Sequence, residues 1–127
     1  MFIGLNPSTA DEIEDDPTIR RCIGYAKDWG YSGLCMTNLF AFRATLPTVM
    51  KSQADPIGPD NDRYLLDMAK YAGVIVAAWG VNGNHLGRDK RVFEMINNLH
   101  HLGFTKEGYP RHPLYLKKDL RPVLWQV

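Results

Sequence analysis

Four polar or aromatic side chains stand where short apolar runs stop. Asn6 follows residues 1–4, Asn38 closes Leu34-Cys35-Met36-Thr37, Trp79 closes Val74-Ile75-Val76-Ala77-Ala78, and His112 precedes Pro113. If those runs are parallel strands, their ends gather along one edge, which is where open α/β sheets bind small ligands. Each residue also has a plain structural reading. Asn6-Pro7-Ser8 fits turn chemistry, Asn38 a strand-end cap, Trp79 a core aromatic, and His112 a rigid turn. The coincidence of all four on one edge favours a binding site over four separate accidents.

Other polar groups carry less. Asp11, Glu12, Glu14, Asp15 and Asp16 form an acidic run that suits a cation or a general base, though favourable charge at a helix start explains it more simply. Adjacent His100 and His101 point apart on a helix. No Cys, His or carboxylate set has metal spacing, so no metal and no cofactor is expected. Gly80-Val81-Asn82-Gly83 is not a phosphate loop. Cys22 and Cys35 lack disulfide-framework spacing and suit a reducing, cytoplasmic setting.

The elements that would position this edge follow from the pattern. The 127 residues predict one domain over 1–127, with 45% hydrophobic and 23% charged residues, as in ordinary globular chains. Strands are expected at 1–4, 34–38 and 73–79, the last apolar throughout and so central. A strand starting at the first residue suggests that a segment before it is lacking. Asp16 with Pro17 reads as a helix start and Gly30 as its end, with Ile19, Ile23, Ala26 and Trp29 inward. Further helices are expected over 60–71, with Tyr64, Leu65, Met68 and Ala69 inward, and over 88–102, with Val92, Met95, Ile96 and Leu99 inward. A long loop spans 39–59 and a Gly/Asn loop 80–87, and residues 103–109 read as strand or turn. The fold class is α/β with a mostly parallel sheet.

Fifteen basic and 14 acidic residues give a net charge of +1. Residues 1–86 hold 7 basic and 10 acidic side chains, and residues 87–127 hold 8 and 4. The C-terminal third is therefore either a solvated surface or a face turned to phosphates. No apolar run is long enough for a membrane helix, and residues 1–4, with no basic or long apolar stretch, are not expected to be a signal peptide.

Taken in order, the motifs resemble the uracil-DNA glycosylase superfamily. Gly4-Leu5-Asn6-Pro7-Ser8 is similar to its Gly-x-Asn-Pro-Gly motif, Leu34 to Asn38 to its strand ending in a base-reading Asn, and Val76-Ala77-Ala78-Trp79-Gly80 to its strand ending in Trp-Gly. His112-Pro113-Leu114-Tyr115-Leu116 resembles its His-Pro-Ser-Pro-Leu motif. The wording is closer still to a bacterial and phage family known as domain of unknown function 1643. The strings that carry this are residues 6–11, 15–21, 38–41, 43–45 and 111–116.

The superfamily resemblance implies a three-layer αβα fold around a central parallel four-stranded sheet. It implies that a flipped nucleotide enters a pocket and that water attacks an oxocarbenium-like sugar. Asn6 would hold the water, and His112 would donate to the departing base, a contribution of ~10²–10³ in rate. Asn38 would read the base edge and Phe40 would stack on it. Ser8, Trp79 and Gly80 would complete the pocket. Lys117, Lys118 and Arg121 would meet phosphates, and Leu114 or Tyr115 would wedge into a duplex. Arg43 has no counterpart in the superfamily and suits a phosphate or carboxylate. Ser8-Thr9-Ala10-Asp11 and Leu114-Tyr115 depart from the superfamily's wording, so a free nucleotide or modified base is as suitable a ligand as DNA. The expected partner is thus a nucleobase, nucleotide or DNA, with hydrolysis of an N-glycosidic bond as the activity. The alternatives are a non-catalytic nucleotide-binding module and an interaction protein.

Overall fold

A computed structural model of the chain describes residues 1–9 and 16–126. Strand β1 (Phe2–Gly4) is followed by helix α1 (Pro17–Asp28), β2 (Met36–Asn38), α2 (Pro47–Lys51) and α3 (Asn61–Ala69). Then come β3 (Ile75–Ala77), a 3₁₀ stretch (Gly80–Gly87), α4 (Arg88–Met95), β4 (Leu99–His101) and β5 (Val123–Leu124). The strands form one sheet in the order β2-β1-β3-β4-β5. The first four are parallel, and β5 runs antiparallel to β4. The fold is α/β as expected, but the sheet is mixed and has five strands among the described residues rather than four.

Each face of the sheet has its own core, because side chains alternate along a strand. Ile3, Ile75, Ala77 and Leu99 face Met50 of α2, Leu65 of α3 and Val92 of α4. Phe2, Val76 and Ala78 face Cys22 and Tyr25 of α1. Central strand β3 is covered on both sides, which explains its unbroken apolar run.

Helix α1 starts where the sequence signals it. The Asp16 carboxylate accepts from the amides of Thr18 (2.8 Å) and Ile19 (3.4 Å), with Pro17 in the first turn. Gly30 ends the helix at φ +87°, in the left-handed region that glycine favours. The buried face is Cys22, Tyr25 and Ala26, and Ile23 is turned outward. Burial, with the Asp16 charge nearby, pushes the Cys22 thiol up to about 12, which leaves it an unreactive core group.

Three other expectations are corrected. The 39–59 loop contains α2, started by Pro47 in its first turn. Residues 80–87 form a 3₁₀ stretch rather than a loop. The helix read over 88–102 stops at Met95, and His100 and His101 belong to β4.

Between β4 and β5 the chain holds a bridge between Phe104 and Pro110 and then runs without helix or strand beside α1. Two α1 side chains and that of the capping residue Trp29, spaced one turn apart, hold it by its carbonyls. Arg21 Nη1 donates to Leu116 (2.7 Å), the Tyr25 hydroxyl to Lys117 (2.5 Å) and Trp29 Nε1 to Leu120 (2.9 Å). This strap replaces a helix in covering the sheet's α1 face, where Leu116 and Leu120 join the core.

Candidate functional site

The first two predicted residues stand at the carboxyl ends of β1 and β2, Asn38 as the last residue of β2 and Asn6 two residues beyond the end of β1. The register pairs Gly4 with Asn38. The pairing continues past the strands, as Leu39 N–H donates to Gly4 and Phe40 N–H to Leu5, each at 2.9 Å. The Asn38 side chain lies over Gly4 so closely that a Cβ on that glycine would sit 2.9 Å from Asn38 Oδ1. The missing side chain of Gly4 is thus what lets the Asn38 amide lie this close to the backbone.

Asn38 opens onto a cavity of about 420 Å³ whose walls include Pro7, Ala41, Asp60, Asn61 and Tyr64. Asn61 is buried and supports the site from beneath. Its Nδ2 donates to the carbonyls of Asn38 (3.1 Å) and Leu39 (2.9 Å). Arg88, 2% exposed, donates from Nε to the same Leu39 carbonyl at 2.7 Å. Its Nη1 pairs with Asp62, which also lies 3.5 Å from Arg91. The end of β2 is therefore held by two buried side chains, while Asn38 is one of the residues that line the cavity. Sequence reasoning missed Asn61, Tyr64 and Arg88. Tyr64 was read as inward but is 47% exposed. Asn61 stands at a helix start, where asparagine is ordinary, so only three-dimensional proximity reveals its role.

Asn6 is used differently. Its Nδ2 donates to the carbonyls of Ala44 (2.9 Å), Pro7 (3.2 Å) and Phe42 (3.3 Å), stitching the loop after β1 to the loop after β2. Only Oδ1 is then left to orient a water. Nearby, the Thr9 and Thr45 hydroxyls are bonded at 2.5 Å. Ser8 is partly buried beside this stitch, and Arg43 is exposed on the second loop.

His112 lies beyond the end of β3. Gly80, at φ +74°, donates its N–H to Pro110 at 3.0 Å and so ties that strand end to the His112 segment. The Leu114 N–H donates to His112 Nδ1 at 3.2 Å. The neutral ring then carries its proton on Nε2. Its side chain is open to solvent, yet the surrounding chain desolvates it and holds its pKa below the usual imidazole value, against the opposing pull of the Asp16 carboxylate. The neutral donor form is therefore favoured. His112 is not among the residues that line the Asn38 cavity.

This depression has a testable consequence. The unfolded chain takes up a proton before folded His112 does, so stability is full above the ordinary value near 6.5 and is lost as pH falls through the lower folded value. His101, also lowered by burial, acts in the same sense. Urea unfolding at pH 7.5 and 5.5 should show this loss, and His112→Gln should reduce it. An undiminished loss in the variant would remove His112 as a source.

Two predicted pocket residues lie elsewhere. Phe40 has no exposed surface and sits in the core, with its ring 5.6 Å from that of His85. Trp79 is 2% exposed and packs on Trp125 at 6.0 Å. Both follow strand ends but point into the α2–α4 core, so neither can stack on a ligand in this conformation. Lys117, Lys118 and Arg121 lie on the strap, exposed. The acidic residues at 11–15 lie outside the described residues.

A second hollow of about 350 Å³, lined by Trp29, Tyr31 and Tyr71, sits at the opposite, amino edge of the sheet, away from the strand ends that bind ligands in such folds. Among the described residues, no group of three His, Cys, Asp or Glu side chains could hold a metal, and no helix is long and apolar enough to cross a membrane.

No curated protein and no solved structure matches the chain. A family model, that of the protein of unknown function DUF1643, matches residues 1–114, and with that span the chain belongs to this family.

Proposed function

We propose that this protein binds a nucleobase or nucleotide at the carboxyl edge of its sheet, in the manner of the uracil-DNA glycosylase superfamily that its motifs resemble. The observation that carries the reading is Asn38, whose Oδ1 lies over Gly4 and which lines a cavity. An amide offers an acceptor and a donor side by side on one carbon, which matches the adjacent donor and acceptor of a pyrimidine edge. The Tyr64 ring at the cavity wall takes the stacking role that buried Phe40 cannot.

Hydrolysis is the further step of this reading. The bond from the sugar to the base breaks with its electrons going to the base, and a water oxygen bonds to the sugar carbon. The water's proton passes to solvent. His112 Nε2–H would steady the charge on the departing base, and Asn6 Oδ1 would accept from the water. A second reading, a binding module without turnover, is favoured by the placement of His112 outside the lining of the Asn38 cavity and by the engagement of Asn6 Nδ2 with three carbonyls.

Thermal unfolding against free bases, nucleosides and nucleotides tests the binding. A ligand at 100 times its Kd should add about 2.7 kcal/mol. A shift with a pyrimidine compound should vanish in Asn38→Ala. The absence of a shift with every pyrimidine tested would sink the reading. His112→Ala separates the two versions. Turnover that falls by ~10²–10³ with binding retained marks the enzyme, and wild-type turnover in that variant removes His112 from the mechanism.

Gly4→Ala gives a sharper check on geometry. The added methyl would crowd the tip of the Asn38 side chain at 2.9 Å and lie in ordinary contact with the Thr37 carbonyl at 3.7 Å. The fold should survive, at a cost under about 1 kcal/mol. The Asn38 amide should swing away, and ligand affinity should fall at least tenfold. Unchanged affinity would show that Asn38 does not read the ligand.

A further inference from the structure

Between α1 and the strap runs a groove of about 440 Å³, on the far side of the sheet from the cavity helix α3. Its lining includes Arg20, Arg21, Gly24, Leu114, Tyr115 and Lys118, with Asp28 as its acidic group. Two of these residues are locally unfavourable. Tyr115 adopts φ +71°, a left-handed conformation costly for an aromatic residue, and yet its side chain is 90% exposed, so no core packing holds it there. Gly24 sits inside α1, where glycine costs about 1 kcal/mol relative to alanine. A Cβ at Gly24 would meet nothing within 4 Å, so no packing demands a glycine. Sites that break local rules without a structural return are where function is expected. Here two such breaks share one groove with three cations.

We propose that this groove binds single-stranded nucleic acid, with Arg20 and Lys118 at backbone phosphates and a base stacked on Tyr115. The bare helix surface at Gly24 lets the strand approach closely, and the ring at the groove lip offers a flat apolar face. Cations with an exposed aromatic are the combination that single-stranded binding uses. Arg21 is already engaged with the Leu116 carbonyl and serves mainly to shape the wall. An acidic peptide would use the cations but gain little from the ring or the glycine. The groove leads from Pro17, next to Asp16, and from Leu114, two residues after His112. The groove shares no lining residue with the Asn38 cavity, so it is a second site, and it rests on the nucleobase reading only for the class of ligand the two would share.

Fluorescence anisotropy with a labelled 12-nucleotide oligothymidylate tests it. Wild-type protein should bind with an affinity that falls as salt rises. Tyr115→Gly should weaken binding about 5- to 100-fold while raising thermal stability, because it relieves the backbone strain. Gly24→Gln should weaken binding by covering the helix surface, again with stability raised. Replacing Arg20 and Lys118 together by Gln should flatten the slope of log affinity against log salt by about 1.4, two phosphates at ~0.7 each. These outcomes separate binding from folding, since a merely structural role predicts the opposite stability changes. No oligonucleotide binding by the wild type, or binding unchanged in Tyr115→Gly and Gly24→Gln, overturns the proposal. So does equal competition by a polyglutamate peptide of the same length, which would mark a general polyanion surface. Asn38→Ala should leave the salt slope and the Tyr115 dependence intact, so failure of the base pocket and failure of the groove are read separately.

Discussion

Gly83→Ala should destabilise the domain by about 3 kcal/mol, the upper range for overpacking a core. Gly83 is buried in the 3₁₀ stretch, and its missing side chain makes room for the Trp79 indole. A Cβ there would lie 2.1 Å from Trp79 Cδ1 and 2.6 Å from Nε1. The indole has no space to retreat into. It is 2% exposed, belongs to the α2–α4 core and packs on Trp125. Chemical unfolding should show a lower midpoint with an unchanged slope. Adding Trp79→Phe should recover part of the loss, since a smaller ring leaves room for the methyl. A cost below 1 kcal/mol for Gly83→Ala would show that this contact is not rigid.

Asp62→Ala should cost about 3 kcal/mol for a different reason. It leaves the Arg88 guanidinium buried without its carboxylate, and an uncompensated buried charge is among the most damaging changes to a fold. Asp62 is itself 39% exposed, so the value belongs at the low end for buried pairs. Arg88 Nη2 is already buried without a partner among the described residues, so the guanidinium would keep only its Nε bond to the Leu39 carbonyl. The double variant Asp62→Ala/Arg88→Met should be more stable than Asp62→Ala alone, because the stranded charge is gone. If the double variant is the weaker of the two, the cost comes from packing rather than charge. Arg88 also holds the Leu39 carbonyl beside Asn38. Asp62→Ala should therefore weaken ligand binding as well, even at temperatures where the fold persists.

The parts of this fold with local causes were legible in the sequence. Asp16-Pro17 and Gly30 bracket α1 because capping and left-handed turns are set by single residues. The unbroken apolar run of β3 announces a strand covered on both faces. β4 was hidden by a coincidence of periods. Val92, Met95, Ile96 and Leu99 keep helical spacing, yet the chain becomes extended at Ile96 and Leu99 enters the sheet opposite Ile75. Two residues of β5 give no periodicity to detect.

For the candidate site, the strand pattern put Asn6 and Asn38 at the carboxyl edge of the sheet but could not give the direction of each side chain. Asn38 and Gly4 are neighbours as the strand order requires. Phe40 and Trp79 stand at the same edge but turn inward, and which way a residue faces just past a strand depends on the loop's path. Asn61 and Arg88 act on Asn38 across 23 and about 50 residues of chain, a relation that no local pattern encodes.

The three tryptophans divide between the two faces of the sheet. Trp29 stacks with Phe2 and Tyr25 on the α1 side, and Trp79 and Trp125 lie together on the other. Each layer therefore carries its own optical reporter. Fluorescence from a variant retaining only Trp29 would follow the strap and α1, while near-ultraviolet circular dichroism of the Trp79–Trp125 pair would follow the opposite layer. Superimposable denaturation curves would mean that the sheet transmits cooperativity through its thickness. Separate curves would give the molecule two melting units divided by a single sheet.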